Sequence, residues 1–150
     1  FTIRRCGRGE WAKFRRYHYL TAELPKQAIC YGCYDGENIC AFIGVIHFPH
    51  PINKKIKTIS RLCVLPDYQG IGIGRKFLNI IAKKYADEGF DLKITTSAKN
   101  LIYALRRDEN WIMQRYSVNK KSKTANRNCR KMVNTVRDNC KTASFYFKNC

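Results

Sequence analysis

The stretch RLCVLPDYQGIGIGRKFLNII, Arg61 to Ile81, constrains this chain more than any other. An apolar run closes at Leu65, and glycines follow at 70, 72 and 74. Apolar residues then recur as Ile73, Phe77, Ile80, Ile81 and Tyr85, while Lys76, Asn79, Lys83 and Asp87 take the other side. That period predicts an amphipathic helix, with Gly89 as its stop. A strand feeding a glycine loop and then a helix leaves the first backbone N–H groups of the helix without helical partners. The helix dipole adds partial positive charge there, and glycines let the backbone come close to a ligand. The segment therefore predicts an anion site of the diphosphate kind. Arg75 and Lys76 oppose the dipole in the first turn, which is reasonable if an anion lies between. Neither common phosphate motif fits: the run ends Gly-Arg-Lys rather than Gly-Lys-Ser/Thr, and its spacing is Gly-x-Gly-x-Gly rather than Gly-x-Gly-x-x-Gly.

The flanking sequence supplies a sheet for this unit. Gln27–Asp35 and Ile39–Phe48 read as strands joined by the turn DGEN, hence a hairpin. Ile56–Leu65 is a further strand, apolar enough at its end to be central. Phe90–Ser97 alternates as a strand, Lys99–Glu109 reads as a helix, and Trp111–Val118 and Thr142–Lys148 as strands. Glu10–Leu20 reads as a short helix or helix and loop before Pro25. About 119–130 is a polar, basic loop expected to be mobile, and Cys129–Cys140 shows no clear pattern. One strand–helix–strand crossover stands out, Ile56 to Ser97. The expected fold is α/β: a mixed, mostly antiparallel sheet flanked by helices. At 150 residues, with no linker or repeat, the chain is expected to be one domain, 1–150.

A net charge of +18 makes it a basic protein and favours anionic partners. The charge is concentrated at the ends. Residues Phe1 to Arg16 carry six Lys/Arg against Glu10 alone, and Arg115 to Cys150 carry ten against Asp138 alone. No apolar run is long enough for a membrane-spanning helix, so no membrane partner is expected. Eight cysteines would suggest disulfides in a secreted chain. Cys30, Cys40 and Cys63 instead sit in apolar strand-like runs, as small hydrophobes, and a reducing cytoplasmic location fits them best. CYGC, Cys30 to Cys33, is half of a zinc pattern. Residues three apart in a strand point to opposite faces, and no second pair completes it, so no metal is expected.

The segment LCVLPDYQGIGIGRKFL resembles the acetyl-CoA signature of the GNAT (GCN5-related) N-acetyltransferase superfamily. Gln69, Gly72 and Gly74 meet its Gln/Arg-x-x-Gly-x-Gly/Ala core, behind a strand ending in Val64, Leu65 and Pro66. The order of elements from about Gln27 to Val118 is also similar to the family's. The resemblance implies a GNAT-like acyl-CoA fold and an acetyl-CoA cosubstrate. It implies that the backbone N–H groups of Gln69, Gly70, Ile71, Gly72, Ile73, Gly74 and Arg75 bind the diphosphate. Leu62, Cys63 and Val64 would pair with the pantetheine arm, and Ser97 or Asn100 would touch CoA. The acyl group would enter a gap between the strands at Cys63 and Ile94.

The implied reaction is direct attack of an amine on the acetyl thioester, which gains from a base, an acid and an oxyanion donor. The Val64 N–H is the candidate oxyanion donor. Many family members carry a Glu on or before the central strand, whereas Ile39 to Leu65 has no carboxylate. His47, and after it His50, are the candidate bases, with Ser60 nearby. The family's acid is a Tyr whose place falls near Arg106 here, so Tyr103, one turn earlier, is the candidate. ENW, Glu109 to Trp111, stands where the family has Gly-Phe.

The acceptor amine stays open: a small molecule, a protein group or an RNA-linked group. Two other readings also stay open. One is a nucleic-acid-binding module, from the charge and from WAKFRRYHYL, where cations alternate with aromatics that can stack on bases. The other is a catalytically inactive CoA-binding sensor, from the missing Glu and the displaced Tyr.

Overall fold

A computed structural model describes residues 1–18, 23–119 and 140–148. Its strands are β1 (Thr2–Arg5), β2 (Ile29–Asp35), β3 (Asn38–His47), β4 (Ile56–Val64), β5 (Asp91–Thr96), β6 (Trp111–Asn119) and β7 (Cys140–Phe147). Its α-helices are α1 (Ile73–Asp87) and α2 (Lys99–Arg106). The strands form one mixed sheet in the order β1-β2-β3-β4-β5-β7-β6. Only β4 and β5 pair in parallel, across the α1 crossover, and every other pairing is antiparallel.

The expected fold is therefore the observed one, with β4 at the middle of the sheet. The hairpin turns at Gly36, whose φ is +59°. Gly89, at φ +80°, follows α1 where a left-handed residue ends a helix. The expected loop of about 119–130 and the pattern-free segment after it lie almost wholly outside the described residues.

Three expectations need correction. The segment from Glu10 forms 3₁₀ turns, Arg8–Lys13 and Arg15–Tyr17, rather than a helix, and the last residues of that expectation lie outside the described part. Its buried anchors are Trp11 and Phe14, and a spacing of three suits a 3₁₀ turn, whose side chains eclipse every third residue. β1 was not foreseen. It is an edge strand with little burial, held by pairing with β2 and by the Arg4 guanidinium 4.2 Å over the Tyr34 ring. Ile80 is exposed, while Leu78 and Ala82 are buried. The buried face of α1 is thus turned toward Leu78, and the apolar spacing alone cannot fix that rotation.

The sheet separates two cores. Residues of α1 and α2 pack on one face with Ile43, Ile94 and Phe145. Trp11 and Phe14 pack on the other with Phe42 and Cys63. Cys30 belongs to the second core and Cys33 to the first, as strand alternation requires. Phe145 sits fully buried in the strand between β5 and β6. Phe145→Ala is expected to destabilise the fold by roughly 3–5 kcal/mol, read as a fall in the urea midpoint with the slope unchanged.

Candidate active site

The centre of the molecule is a place where the sheet comes apart. β4 pairs with β5 only from Ile56↔Asp91 to Ile59↔Ile94. It stays paired with β3 as far as Val64. At the parting point β4 carries a bulge: Val45 faces Ile59 and Gly44 faces Arg61, so Ser60 is the extra residue. Its hydroxyl donates to the Gly44 carbonyl at 2.9 Å. A bulge bends its strand and ends regular pairing, which turns β4 away from β5.

The bulge also shifts the phase of β4. Leu65 N–H donates to Cys40 O at 2.9 Å. Backbone groups of successive strand residues point to opposite edges, so Leu62 and Val64 aim their N–H and C=O away from β3, into the gap. On that side the Gln69 side-chain amide donates to Val64 O at 2.9 Å.

The chain then turns through a 3₁₀ turn, Pro66–Tyr68, into the glycine loop. Gly70 and Gly72 have φ of +86° and +82°, values that other L-residues adopt at a cost. Gly72 is the N-cap of α1, with no side chain capping the helix. The first helical bond runs from Lys76 N–H to Gly72 O, so the N–H groups of Ile73, Gly74 and Arg75 have no helical acceptor. Gly74 serves another purpose: a Cβ there would lie 3.2 Å from Val64 Cγ2. The glycines thus divide the work, two for backbone shape and one for the close approach of α1 to β4.

A cleft of about 410 Å³ lies over this arrangement. Leu62 and Val64 of β4 line it, as do Gln69, Gly70, Gly72 and Ile73 from the loop. Gly74, Arg75 and Asn100 complete the expected residues found there. Tyr68, Ala98, Leu101 and Ala104 also line it and were not foreseen. The Tyr68 hydroxyl donates to Asp35 at 3.2 Å.

Several expected residues lie elsewhere. Cys63 faces the opposite core, and burial pushes its thiol up to about 11, so it remains protonated at neutral pH. Ile71 is exposed outside the lining. The Gln69 N–H is already bonded to Pro66 O at 3.1 Å and is not an open donor. Ser97 and Tyr103 line a different cavity, beyond α2. His47 pairs with Lys57, at the closed end of β4, about five residues or roughly 16 Å from Leu62 along the strand. His50 is tied into the following turn, its Nδ1 accepting from Asn53 N–H at 2.9 Å. Neither histidine lines the cleft. The hairpin–strand order placed His47 nearby, but antiparallel pairing carries the end of β3 to the start of β4.

Arg75 also differs from expectation. Its guanidinium pairs with Asp108 at 3.3 Å. Asp108 is only 7% exposed and accepts from Asn79 Nδ2 at 2.8 Å, and from the backbone and side chain of Asn110 at 3.0 and 2.9 Å. Asn79 in turn accepts from the Trp111 indole at 2.7 Å. Burial pushes the Asp108 carboxyl up, but the bonds from Asn79 and Asn110 and the Arg75 charge outweigh it and hold it below the ordinary value. The network pins the first turns of α1 to the α2–β6 turn. Nothing in the sequence pattern marks Asn79 or Asp108 for this role.

A family model of the acetyltransferase (GNAT) domain matches residues 26–107. The chain belongs to the GNAT acetyltransferase family. That match spans the hairpin, the parting strands, the glycine loop and α2. Solved structures agree over nearly the whole chain. The ribosomal-protein-S18-alanine N-acetyltransferase from Escherichia coli superposes with a TM-score of 0.69 at 14% identity, over 97% of this chain and 92% of that one. A Bacillus subtilis acetyltransferase in complex with CoA gives 0.68 at 10% identity, over 97% of both chains. A GNAT family acetyltransferase from Elizabethkingia anophelis with acetyl-CoA bound gives 0.67 at 13%, over 98% and 97%. At such identities these likenesses speak for the fold alone. No curated protein sequence matches the chain.

Proposed function

We propose that this GNAT family member is an acetyl-CoA-dependent N-acetyltransferase. The observation that carries the reading is the parted β4–β5 edge opening onto a glycine loop with uncommitted N–H groups. The diphosphate would sit on the N–H groups at the start of α1. The pantetheine amides would pair with the gap-facing groups of Leu62, like an added strand. Structures with CoA and acetyl-CoA among the similar folds support this choice of cosubstrate.

The amine nitrogen would attack the thioester carbonyl carbon. A C–N bond forms, the C–S bond breaks, and CoA leaves as a thiolate that takes up the proton the amine gives off. The Val64 N–H, which faces the gap, would stabilise the oxyanion. No carboxylate or imidazole lines the cleft among the described residues, so the amine would enter neutral or pass its proton to water.

Titration calorimetry with acetyl-CoA, followed by thiol release with a panel of amines, tests the reading. Binding with turnover supports it. Binding without turnover on any amine leaves a CoA-binding sensor instead, and no binding overturns both.

A further inference from the structure

On the far side of α2 lies a second cavity, of about 520 Å³. We propose that it binds a nucleoside phosphate, separately from acetyl-CoA. Three cations border it: Lys99 and Arg106 from the two ends of α2, and Lys141 from the start of β7. No carboxylate lines it among the described residues. Lys99 and Arg106, one at each end of the helix, focus a positive potential into the concavity, which favours an anion there.

Its other walls suit a flat ring. Tyr103 and Tyr116 both line the cavity and are 58% and 50% exposed. The Arg107 guanidinium stacks 4.3 Å over the Tyr103 ring, which orients that ring and adds a further positive charge beside it. Ile102 supplies an apolar floor, and Ser97 a hydroxyl at the rim. Cations for phosphate together with tyrosines for stacking make the recognition chemistry of a nucleoside phosphate. The volume falls within the range of small-ligand pockets, which favours a free mononucleotide over a strand.

The site is distinct from the loop cleft because α2 stands between them. Ala98, Asn100, Leu101 and Ala104 face the loop cleft, and Lys99, Ile102, Tyr103 and Arg106 face this cavity.

The test titrates AMP, ADP and GMP into the full chain by calorimetry, with and without saturating acetyl-CoA, beside inorganic phosphate and a short single-stranded RNA. Expected is binding of at least one mononucleotide in both states, tighter than phosphate. Arg106→Gln should weaken it about tenfold or more and Tyr116→Ala about fivefold, with the unfolding midpoint and acetyl-CoA affinity of each variant near wild type. Loss of nucleotide binding on acetyl-CoA saturation would assign it to the loop cleft and overturn the proposal. So would binding indifferent to both substitutions, or RNA bound far more tightly than any mononucleotide. The arm without acetyl-CoA keeps this proposal testable even if acetyl-CoA does not bind.

Discussion

Gly72→Glu is expected to weaken acetyl-CoA binding by at least about 100-fold. Two costs act together. Gly72 holds φ at +82°, and a residue with a side chain pays roughly 1–3 kcal/mol in that region. The new carboxylate would also stand at the entrance of α1, where the diphosphate needs the N–H groups of Ile73, Gly74 and Arg75. Gly72→Ala separates these costs. A Cβ at Gly72 meets nothing within 4 Å, so alanine introduces the backbone strain without bulk or charge, and a loss near tenfold is expected. Calorimetry of both variants reads the difference directly. Equal affinity of Gly72→Glu and wild type would show that the loop does not hold the cosubstrate.

Asp108→Ala is expected to have the largest effect on stability of any change at a charged residue. It removes the acceptor shared by Arg75, Asn79 and Asn110 and leaves the half-buried Asn79 amide without that partner. Losing these bonds costs roughly 1–3 kcal/mol, which for a chain of this length lowers the melting temperature by roughly 2–12 °C. Arg75→Met should cost much less, since the Arg75 side chain is 45% exposed and water replaces part of its pairing. The depressed Asp108 carboxyl also sets a pH dependence. Its contribution is fully present above the ordinary unfolded value, about pH 4. It fades as pH falls from there through the lower folded value. Wild type should therefore lose stability below about pH 4 more steeply than Asp108→Ala, in denaturant melts at matched ionic strength.

A smaller prediction concerns the third loop glycine. Gly74→Val brings branched carbons against Val64 Cγ2, already 3.2 Å from a bare Cβ. It should narrow the cleft and weaken acetyl-CoA binding about tenfold, with a lower melting temperature.

The sequence by itself determined most of the architecture. Apolar and aromatic runs around the DGEN turn marked the hairpin, a near-continuous apolar end marked β4, alternation marked β5, and helical spacing with Gly89 marked α1. The glycine loop was legible too, because its backbone shape needs glycines at fixed places. What stayed hidden depends on partners distant in the chain. β1 is a strand only because β2 offers it an edge, and Trp11 and Phe14 form 3₁₀ turns because Phe42 lies beneath them.

The site followed the same division. Val64 and Gly74 were visible as residues, but the parting of β4 from β5 comes from the Ser60 bulge, a register shift that no local pattern announces. His47 looked close to the chemistry along the chain and lies at the other end of β4, since antiparallel pairing reverses which ends meet. Arg75 read as a first-turn cation beside an anion, and the fold brings Asp108 to its side chain from 33 residues away. Backbone conformation and periodicity are local properties that side chains write into the sequence. Register, strand separation and buried charge pairing are settled only when segments far apart in the chain compete for the same partners.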